Sequence, residues 1–403
     1  MTAKQTIRDL SSLKDTRVFV RVDFNVPMEG TDISEDTRIR AALPTLKFLR
    51  DQGAQLVLAS HLGRPKKGPT PALSLLPVAK RLAELLGCEV DLAADSIGED
   101  ARTRAAAMKA GSVLLLENVR FHPEEEGNDP KFAKALIDDS GATIFVNDAF
   151  GTAHRAHAST AGVAPFVGHR VAGFLMEKEV HYLGLALSSP PKPYVAIIGG
   201  AKVSDKITVI ENLLPKVDKL LIGGGMAYTF FRAQGLDTGK SLVEADKVDL
   251  AKSLLEKAAG KILLPVDHTV ASAFAADAET KVLPASETPA GWMGLDIGPL
   301  SVAAFRAEIE KAALVLWNGP MGVFEMKAFS SGTFAVAQAL ADSKATTIVG
   351  GGDSVAAISE AGLMDRITHV STGGGASLEF LGGDTLPGVE CLDDNPNPVQ
   401  AGN

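Results

Sequence analysis

The chain has very little cysteine, no long apolar run and no excess of positive charge. Cys88 and Cys391 are the only two cysteines in 403 residues, too few for a disulfide framework or a multi-cysteine zinc site, and they fit a reducing compartment. No run approaches the ~18 consecutive apolar residues of a membrane helix, and the opening MTAKQTIRDL lacks the apolar core of a secretory signal. With 40 Lys and Arg against 49 Asp and Glu, the net charge of −9 argues against a nucleic-acid surface. A cytoplasmic protein with neither membrane nor nucleic-acid partners is expected. Several catalytic signatures are missing as well. No strand leads into G-x-G-x-x-G, which disfavours a dinucleotide fold, and neither G-x-S-x-G nor another covalent nucleophile stands out. TGKS at 238 to 241 is not a phosphate loop, because Gln234 occupies the place of the required glycine. His154 and His157 have metal-ligand spacing but no third ligand of zinc type nearby. EEEGND, from 124, reads as a solvated acidic loop.

What is present is a compact globular composition: 46% hydrophobic, 39 glycines and 22% charged residues. The length suggests about two or three domains. Short β-rich runs alternate with helical patterns. DTRIRAALPTLKFLRDQG places Ile39, Leu43, Leu46 and Leu49 at helical spacing and stops at Gly53. QLVLAS, SVLLLENV, TIFVND, YVAIIGG, KLLIGGG, ILLPV, ALVLW and TTIVGGG read as strands between helices, which implies parallel sheets covered on both faces. Residues 173–193 read as one helix followed by a proline-stiffened joint, so the expected architecture is two α/β domains on a hinge. By composition alone, the closing DDNPNPVQAGN is a loose tail.

In open parallel sheets, ligands bind at the carboxyl ends of the strands. In the first half those ends read VDFN, SHLGRP, ENVRF and NDAFGTAHRAH; in the second, IGGAKVSDK, IGGGMAYTF, WNGPMGVFE, VGGGDS and STGGGAS. One half ends its strands in Arg, His, Asp and Asn, the other in glycine. Glycines between strand and helix let backbone N–H groups close on phosphate oxygens, so the second half suits a nucleotide polyphosphate. The Asp-Ser of VGGGDS offers oxygen ligands to a magnesium ion on those phosphates. Lys202 and Lys206 are expected at a helix start with Ser204 as N-cap, where cations oppose the helix dipole unless an anion lies between them. The arginines of the first half suit a small anionic partner. Asp23 and Asn25, on the polar face of VFVRVDFNVP, can accept from its hydroxyls, while Arg21, deeper in the strand, is expected to pair with a neighbouring carboxylate.

RVDFNVP, SHLGRP, ENVRF, NDAFGTAHRAH, GGAKVSDK, GGGMAYTF, WNGPMGVFE and VGGGDS occur in this order across nearly the whole length, and together they resemble the phosphoglycerate kinase family. Ser354 stands where threonine is common in that family and Tyr228 where phenylalanine is, both keeping the local chemistry. The resemblance implies two Rossmann-like three-layer αβα domains with mainly parallel sheets. These would be a phosphoglycerate-binding domain at 1–172, a hinge helix at 173–188, a nucleotide-binding domain at 189–392, and a tail at 393–403 packing back on the first domain. It implies a monomer that reversibly moves phosphate between 1,3-bisphosphoglycerate and ADP, giving 3-phosphoglycerate and ATP with Mg²⁺, within glycolysis and gluconeogenesis. It carries 3-phosphoglycerate onto Asp23, Asn25, Arg38, His61, Arg64, Arg120 and Arg155. It carries the nucleotide onto Lys202, Lys206, Gly224, Gly225, Gly294, Glu325 toward the ribose, Gly351, Gly352, Asp353 and Ser354, with Asp353 as magnesium ligand. Arg38, Lys202 and the turn of Gly373, Gly374 and Gly375 would face the phosphoryl group in flight.

Such a transfer needs in-line positioning and charge stabilisation rather than a general base, because the acyl phosphate is already activated and the ADP oxygen already ionised. Reacting atoms that meet only on closure would also exclude water. The alternative is a two-lobed protein that closes on a ligand without chemistry. It would have no use for the Asp353–Ser354 corner.

Overall fold

The computed structural model describes residues 3–66 and 68–396, which form two compact units. One runs to His181 and takes the chain up again from Thr385; the other is Tyr182–Asp384. Both are α/β with a six-stranded sheet in which every pairing is parallel. No helix among the described residues is long and apolar enough to cross a membrane.

In the first unit the sheet order is Val90–Leu92, Val113–Leu115, Gln55–Ala59, Arg17–Val22, Ile144–Asp148, His169–Ala172. Gln55–Ala59 and Ile144–Asp148 are buried at every position, their apolar residues running without alternation and their polar ones, Gln55, Asn147 and Asp148, falling at the strand ends. The helix expected from the spacing of Ile39, Leu43, Leu46 and Leu49 is Thr37–Asp51, and it turns off at Gly53, whose φ of +80° only glycine adopts freely. Asp129 caps Pro130–Ser140, accepting from Lys131 N at 2.8 Å and Phe132 N at 3.0 Å. Arg17–Val22 sits at the middle, with its successor Gln55–Ala59 on one side and Ile144–Asp148 on the other. That reversal of strand order is the switch point at which such sheets open a crevice.

The composition reading of a loose end is corrected for the residues the structure describes. Gly388 N donates to Ala153 O at 2.8 Å and Asn147 Nδ2 donates to Gly388 O at 2.8 Å. Arg170 Nε holds Asp393 at 2.8 Å, Lys4 Nζ holds Asp394 at 2.8 Å, and Gln5 N donates to Asp393 O at 2.8 Å. The end of the second domain, expected at 392, therefore moves to 384, because Thr385–Leu392 packs with the first unit; 397–403 lie outside the described residues. The start moves too. The helix Phe174–Ser188 is shared, with the division falling between His181 and Tyr182.

In the second unit the order is Ile262–Leu263, Lys219–Ile222, Tyr194–Ile198, Leu314–Asn318, Thr346–Gly350, His369–Val370. Here the switch point lies between Tyr194–Ile198 and Leu314–Asn318. A second, antiparallel sheet of Thr280–Pro284, Asp267–Ala271 and Met293–Ile297 follows ILLPV, in a stretch where the sequence suggested no strand. Its outer strand Thr280–Pro284 is mostly exposed, so no apolar alternation marks it.

This small sheet is tied to the main body by Asp267. Its buried carboxylate accepts from Leu300 N at 2.9 Å, Ser301 N at 2.7 Å and Ser301 Oγ at 2.6 Å, closing the N-terminus of Pro299–Ile309. Asp267→Ala is expected to lower unfolding stability by about 2 kcal/mol, the scale of a lost cap plus stranded donors. A urea midpoint unchanged from wild type would contradict this role.

Candidate active site

The first unit gathers its polar strand ends around buried histidines. Arg38, in the first turn of Thr37–Asp51, reaches both oxygens of Asp23 at 3.1 Å and the carbonyl of Asn25 at 3.1 Å. Its place against the helix dipole thus has a partner in the fold. Asn25 Oδ1 accepts from Gly63 N at 2.8 Å, and Arg120 Nη1 donates to Gly63 O at 3.0 Å, so the 61–64 turn is held from two strands. Arg64 and Arg155 are exposed. The charges of Arg21, Arg120 and Arg38 all bear on His61, those of Arg120, Arg21 and Arg155 on His157, and that of Arg64 on Arg120. The structure therefore brings together every residue expected to hold a small anion.

Burial first, and the surrounding guanidiniums second, hold the His61 imidazole well below its ordinary range, and hold His157 at about 4. His61 Nδ1 faces Arg21 Nη2 at 3.3 Å. A guanidinium can only donate, so Nδ1 accepts and the proton of neutral His61 sits on Nε2 as a donor.

Arg21 departs from expectation. It is wholly buried, and its hydrogen bonds go to Ser159 Oγ at 2.7 Å, the Val22 carbonyl and His61 rather than to a carboxylate. Its counter-charge arrives one step removed, through Ser159, whose N and Oγ donate to Glu125 at 2.8 and 2.5 Å. Glu125 is fully buried, which corrects the reading of EEEGND as a solvated loop: its middle glutamate points inward at the arginine. Burial raises its carboxyl above the usual range against the pull of Arg21.

In the second unit, backbone meets backbone at the switch point. A Cβ on Gly199 would fall 2.2 Å from Pro320 O, and one on Gly224, at φ +70°, would fall 2.6 Å from Gly200 O. Only glycine permits these turns to close on each other. Lys206 Nζ donates to Asn318 Oδ1, and burial lowers its ammonium below the ordinary lysine value. Lys206 is the N-cap of Ile207–Leu213, whereas Ser204, expected there, donates instead to Glu244 Oε1 at 2.5 Å. Lys202 lies ahead of the helix, exposed on the loop.

Asn318 escaped the sequence reading, although it sits within the quoted WNGPMGVFE. Its buried Nδ2 has no hydrogen-bond partner among the described residues, and a Cβ on Gly351 would lie 3.1 Å from it. A buried donor left over beside Lys206 and a glycine turn asks for an acceptor. Asp353 is exposed in the first turn of Gly352–Glu360, but Ser354 is buried and its Oγ accepts from Gly319 N at 2.6 Å, so that hydroxyl props the neighbouring turn. Gly294 lies in the antiparallel sheet with its N–H on Ser241 Oγ at 2.9 Å. Glu325 is exposed, Gly373 N donates to Ser371 Oγ at 3.1 Å, and Gly374 precedes the helix Gly375–Gly382.

A sequence profile described as phosphoglycerate kinase matches residues 7–384. The chain belongs to the phosphoglycerate kinase family. It is 57% identical to the cytosolic phosphoglycerate kinase of Triticum aestivum, over 98% of this chain and 100% of that one. It is also 57% identical to the phosphoglycerate kinase of Chlorobaculum tepidum, over 97% of this chain and 100% of the relative. The solved phosphoglycerate kinase of Coxiella burnetii superposes with a TM-score of 0.89 at 44% identity, covering 96% of this chain and 98% of the other. Family membership makes the protein a kinase with a carboxyl group as acceptor and disfavours a two-lobed binding protein without chemistry. The known relatives thus agree with the resemblance carried by the strand-end motifs.

The neutral histidines make a pH prediction. The fold holds His157 at about 4, while an unfolded histidine titrates near ~6.5, so between those values the unfolded chain binds the extra proton. Stability should rise with pH across that window and be fully present above it. In His157→Gln, the difference between urea midpoints at pH 7.5 and pH 5 is expected to shrink relative to wild type. An unchanged difference would place the acid sensitivity elsewhere.

Proposed function

We propose that the protein is a phosphoglycerate kinase whose first unit holds 3-phosphoglycerate or 1,3-bisphosphoglycerate and whose second unit holds ATP or ADP. The observation that carries this division is the contrast between the two sheets' carboxyl edges. One gathers the guanidiniums of Arg21, Arg38, Arg120 and Arg155 on His61 and His157, with Arg64 beside Arg120 and with Asp23 and Asn25 among them. The other packs glycine turns and leaves a buried Asn318 donor beside Lys206. Forked cations suit a carboxylate and a phosphate; packed backbone amides suit a polyphosphate. Asp353 would hold Mg²⁺, which supplies charge neutralisation on the nucleotide phosphates. A single exposed carboxylate in a glycine turn suits that ion, which takes most of its ligands from phosphates and water. The protein works in the cytoplasm as a monomer, within glycolysis and gluconeogenesis.

His61, neutral with its proton on Nε2, and the guanidiniums around it orient the phosphoglycerate without taking a proton from it. On the nucleotide side, Lys206 and Asn318 fix the polyphosphate, and Glu325 faces the ribose. Arg38 and Lys202 act on the transferring group, offsetting charge that develops only in the transition state. The turn at Gly373 and Gly374 supplies backbone donors to the same group. Transfer requires the units to approach through the joint at Phe174–Ser188.

A coupled assay with ATP, Mg²⁺ and 3-phosphoglycerate tests the activity; absence of turnover would sink the proposal. Within that assay, Lys202→Ala and Arg38→Ala are expected to lower kcat by ~10²-fold or more with native melting curves, on the scale of a lost oxyanion donor. Arg64→Ala should act mainly on KM for phosphoglycerate. Near-normal kcat in the first two would make them binding residues only.

Hydrogen exchange tests the division between the units. Mg-ADP alone should protect segments of Tyr182–Asp384, and 3-phosphoglycerate alone the strand ends of the first unit. Protection of the helix Phe174–Ser188 should appear only with both. Nucleotide protecting only the first unit would reverse the assignment.

A further inference from the structure

We infer that Asn118 is a positioning residue for phosphoglycerate binding: its buried amide fixes where Arg64 stands relative to Arg120. The inference rests on the proposal that the phosphoglycerate lies on these two arginines. Three observations in the first unit carry it.

The first is the bonding of the amide itself. Asn118 is wholly buried, and its Nδ2 donates to Leu62 O at 2.8 Å and to Leu73 O at 2.9 Å. Its Oδ1 accepts from Arg120 N at 3.1 Å, at the start of the short helix Val119–Phe121. Carbonyls only accept and a backbone N–H only donates, so the amide can face only one way, and both its donors are used. Leu62 and Leu73 stand on either side of Arg64 in the chain. One side chain thus ties the stretch leading to Arg64, the stretch returning from it, and Arg120.

The second is what stands behind the amide. Glu117 Oε1 accepts from Asn118 N at 2.7 Å and from Leu75 N at 2.8 Å, and its Oε2 accepts from Ser74 Oγ at 2.6 Å. The returning chain is therefore held at Leu73, Ser74 and Leu75 in a row. On the outgoing side Val119 N donates to Ser60 O at 3.1 Å. The two sides also pack on each other, since a Cβ on Gly63 would fall 2.7 Å from Leu73 Cδ2.

The third is a division of labour. Asn25 and Arg120 hold Gly63 as well, at 2.8 Å and 3.0 Å, but both are proposed to meet the phosphoglycerate. Asn118 has no donor left for a ligand and no exposed surface to offer one. A buried amide satisfied wholly within the fold acts only through the residues it holds.

The test is Asn118→Ser in the full-length enzyme, alone and combined with Arg64→Ala. Serine is a good helix cap, so its hydroxyl can still accept from Arg120 N, but with a single donor it cannot span Leu62 O and Leu73 O. Asn118→Ser is expected to raise KM for 3-phosphoglycerate about tenfold, the scale of one lost hydrogen bond. Its kcat and its KM for ATP should stay within about twofold of wild type. With Arg64 already replaced there is no guanidinium left to place, so adding Asn118→Ser should then raise KM less than about threefold. An unchanged KM for 3-phosphoglycerate in Asn118→Ser, while Arg64→Ala raises it, overturns the inference and leaves the proposed function standing. An unchanged KM in Arg64→Ala overturns the placement of phosphoglycerate, and the inference with it. A KM change undiminished by Arg64→Ala overturns the route through that arginine. A kcat loss as large as the KM change overturns the positioning role. Should Asn118→Ser not fold, Asn118→Thr keeps the capping oxygen, fills more of the space and must give the same split between KM and kcat.

Discussion

A parallel sheet covered on both faces has nowhere to put polar chemistry except at its strand ends, and that constraint organises both units. Strands such as Gln55–Ala59 and Tyr194–Ile198 are buried along their whole length, so a charge placed mid-strand would need its own buried partner. The polar residues therefore collect just beyond the last paired residue, at the reversal of strand order. The two units meet this constraint with different chemistry. The first uses long charged side chains braced against one another. The second uses short turns and lets the backbone itself line the edge.

Arg21 is the exception that shows the cost. A wholly buried guanidinium is tolerable only with acceptors at hand and a counter-charge near. Nε reaches Ser159, which bridges it to Glu125, while Nη1 finds the Val22 carbonyl and Nη2 finds His61. This network also fixes which nitrogen of His61 carries the proton. A cation inside the fold thus decides how a histidine at the arginine-lined edge presents itself.

Much of the fold was legible because the apolar periods are strong. The eight central strands and the helix Thr37–Asp51 follow from runs that no loop would tolerate. The antiparallel sheet was not legible: its edge strand Thr280–Pro284 is solvent-facing, and its other edge strand, Met293–Ile297, carries a bulge that breaks the alternation. At the candidate site, residue type and position after a strand were enough to nominate the arginines and the glycines. They were not enough for Glu125, whose neighbours Glu124 and Glu126 disguise it, or for Asn318, whose importance lies in a donor left without a partner among the described residues. Ser204 failed as a cap because Glu244, forty residues on, competes for its hydroxyl. Contacts between distant segments do not show in local pattern.

The grip of Arg170 and Lys4 on Asp393 and Asp394 has a consequence for how the protein is made. The first unit is discontinuous: it opens the chain and also needs the stretch after Thr385, while the second is one unbroken insertion between. On the ribosome, where domains fold as they emerge, the second unit has all of its sequence before the first has its last piece. The nascent first unit must wait, short of its final contacts, through the synthesis of everything from Tyr182 to Asp384. The hydrogen bonds that Asn147 and Ala153 make with Gly388 cannot form during that whole interval.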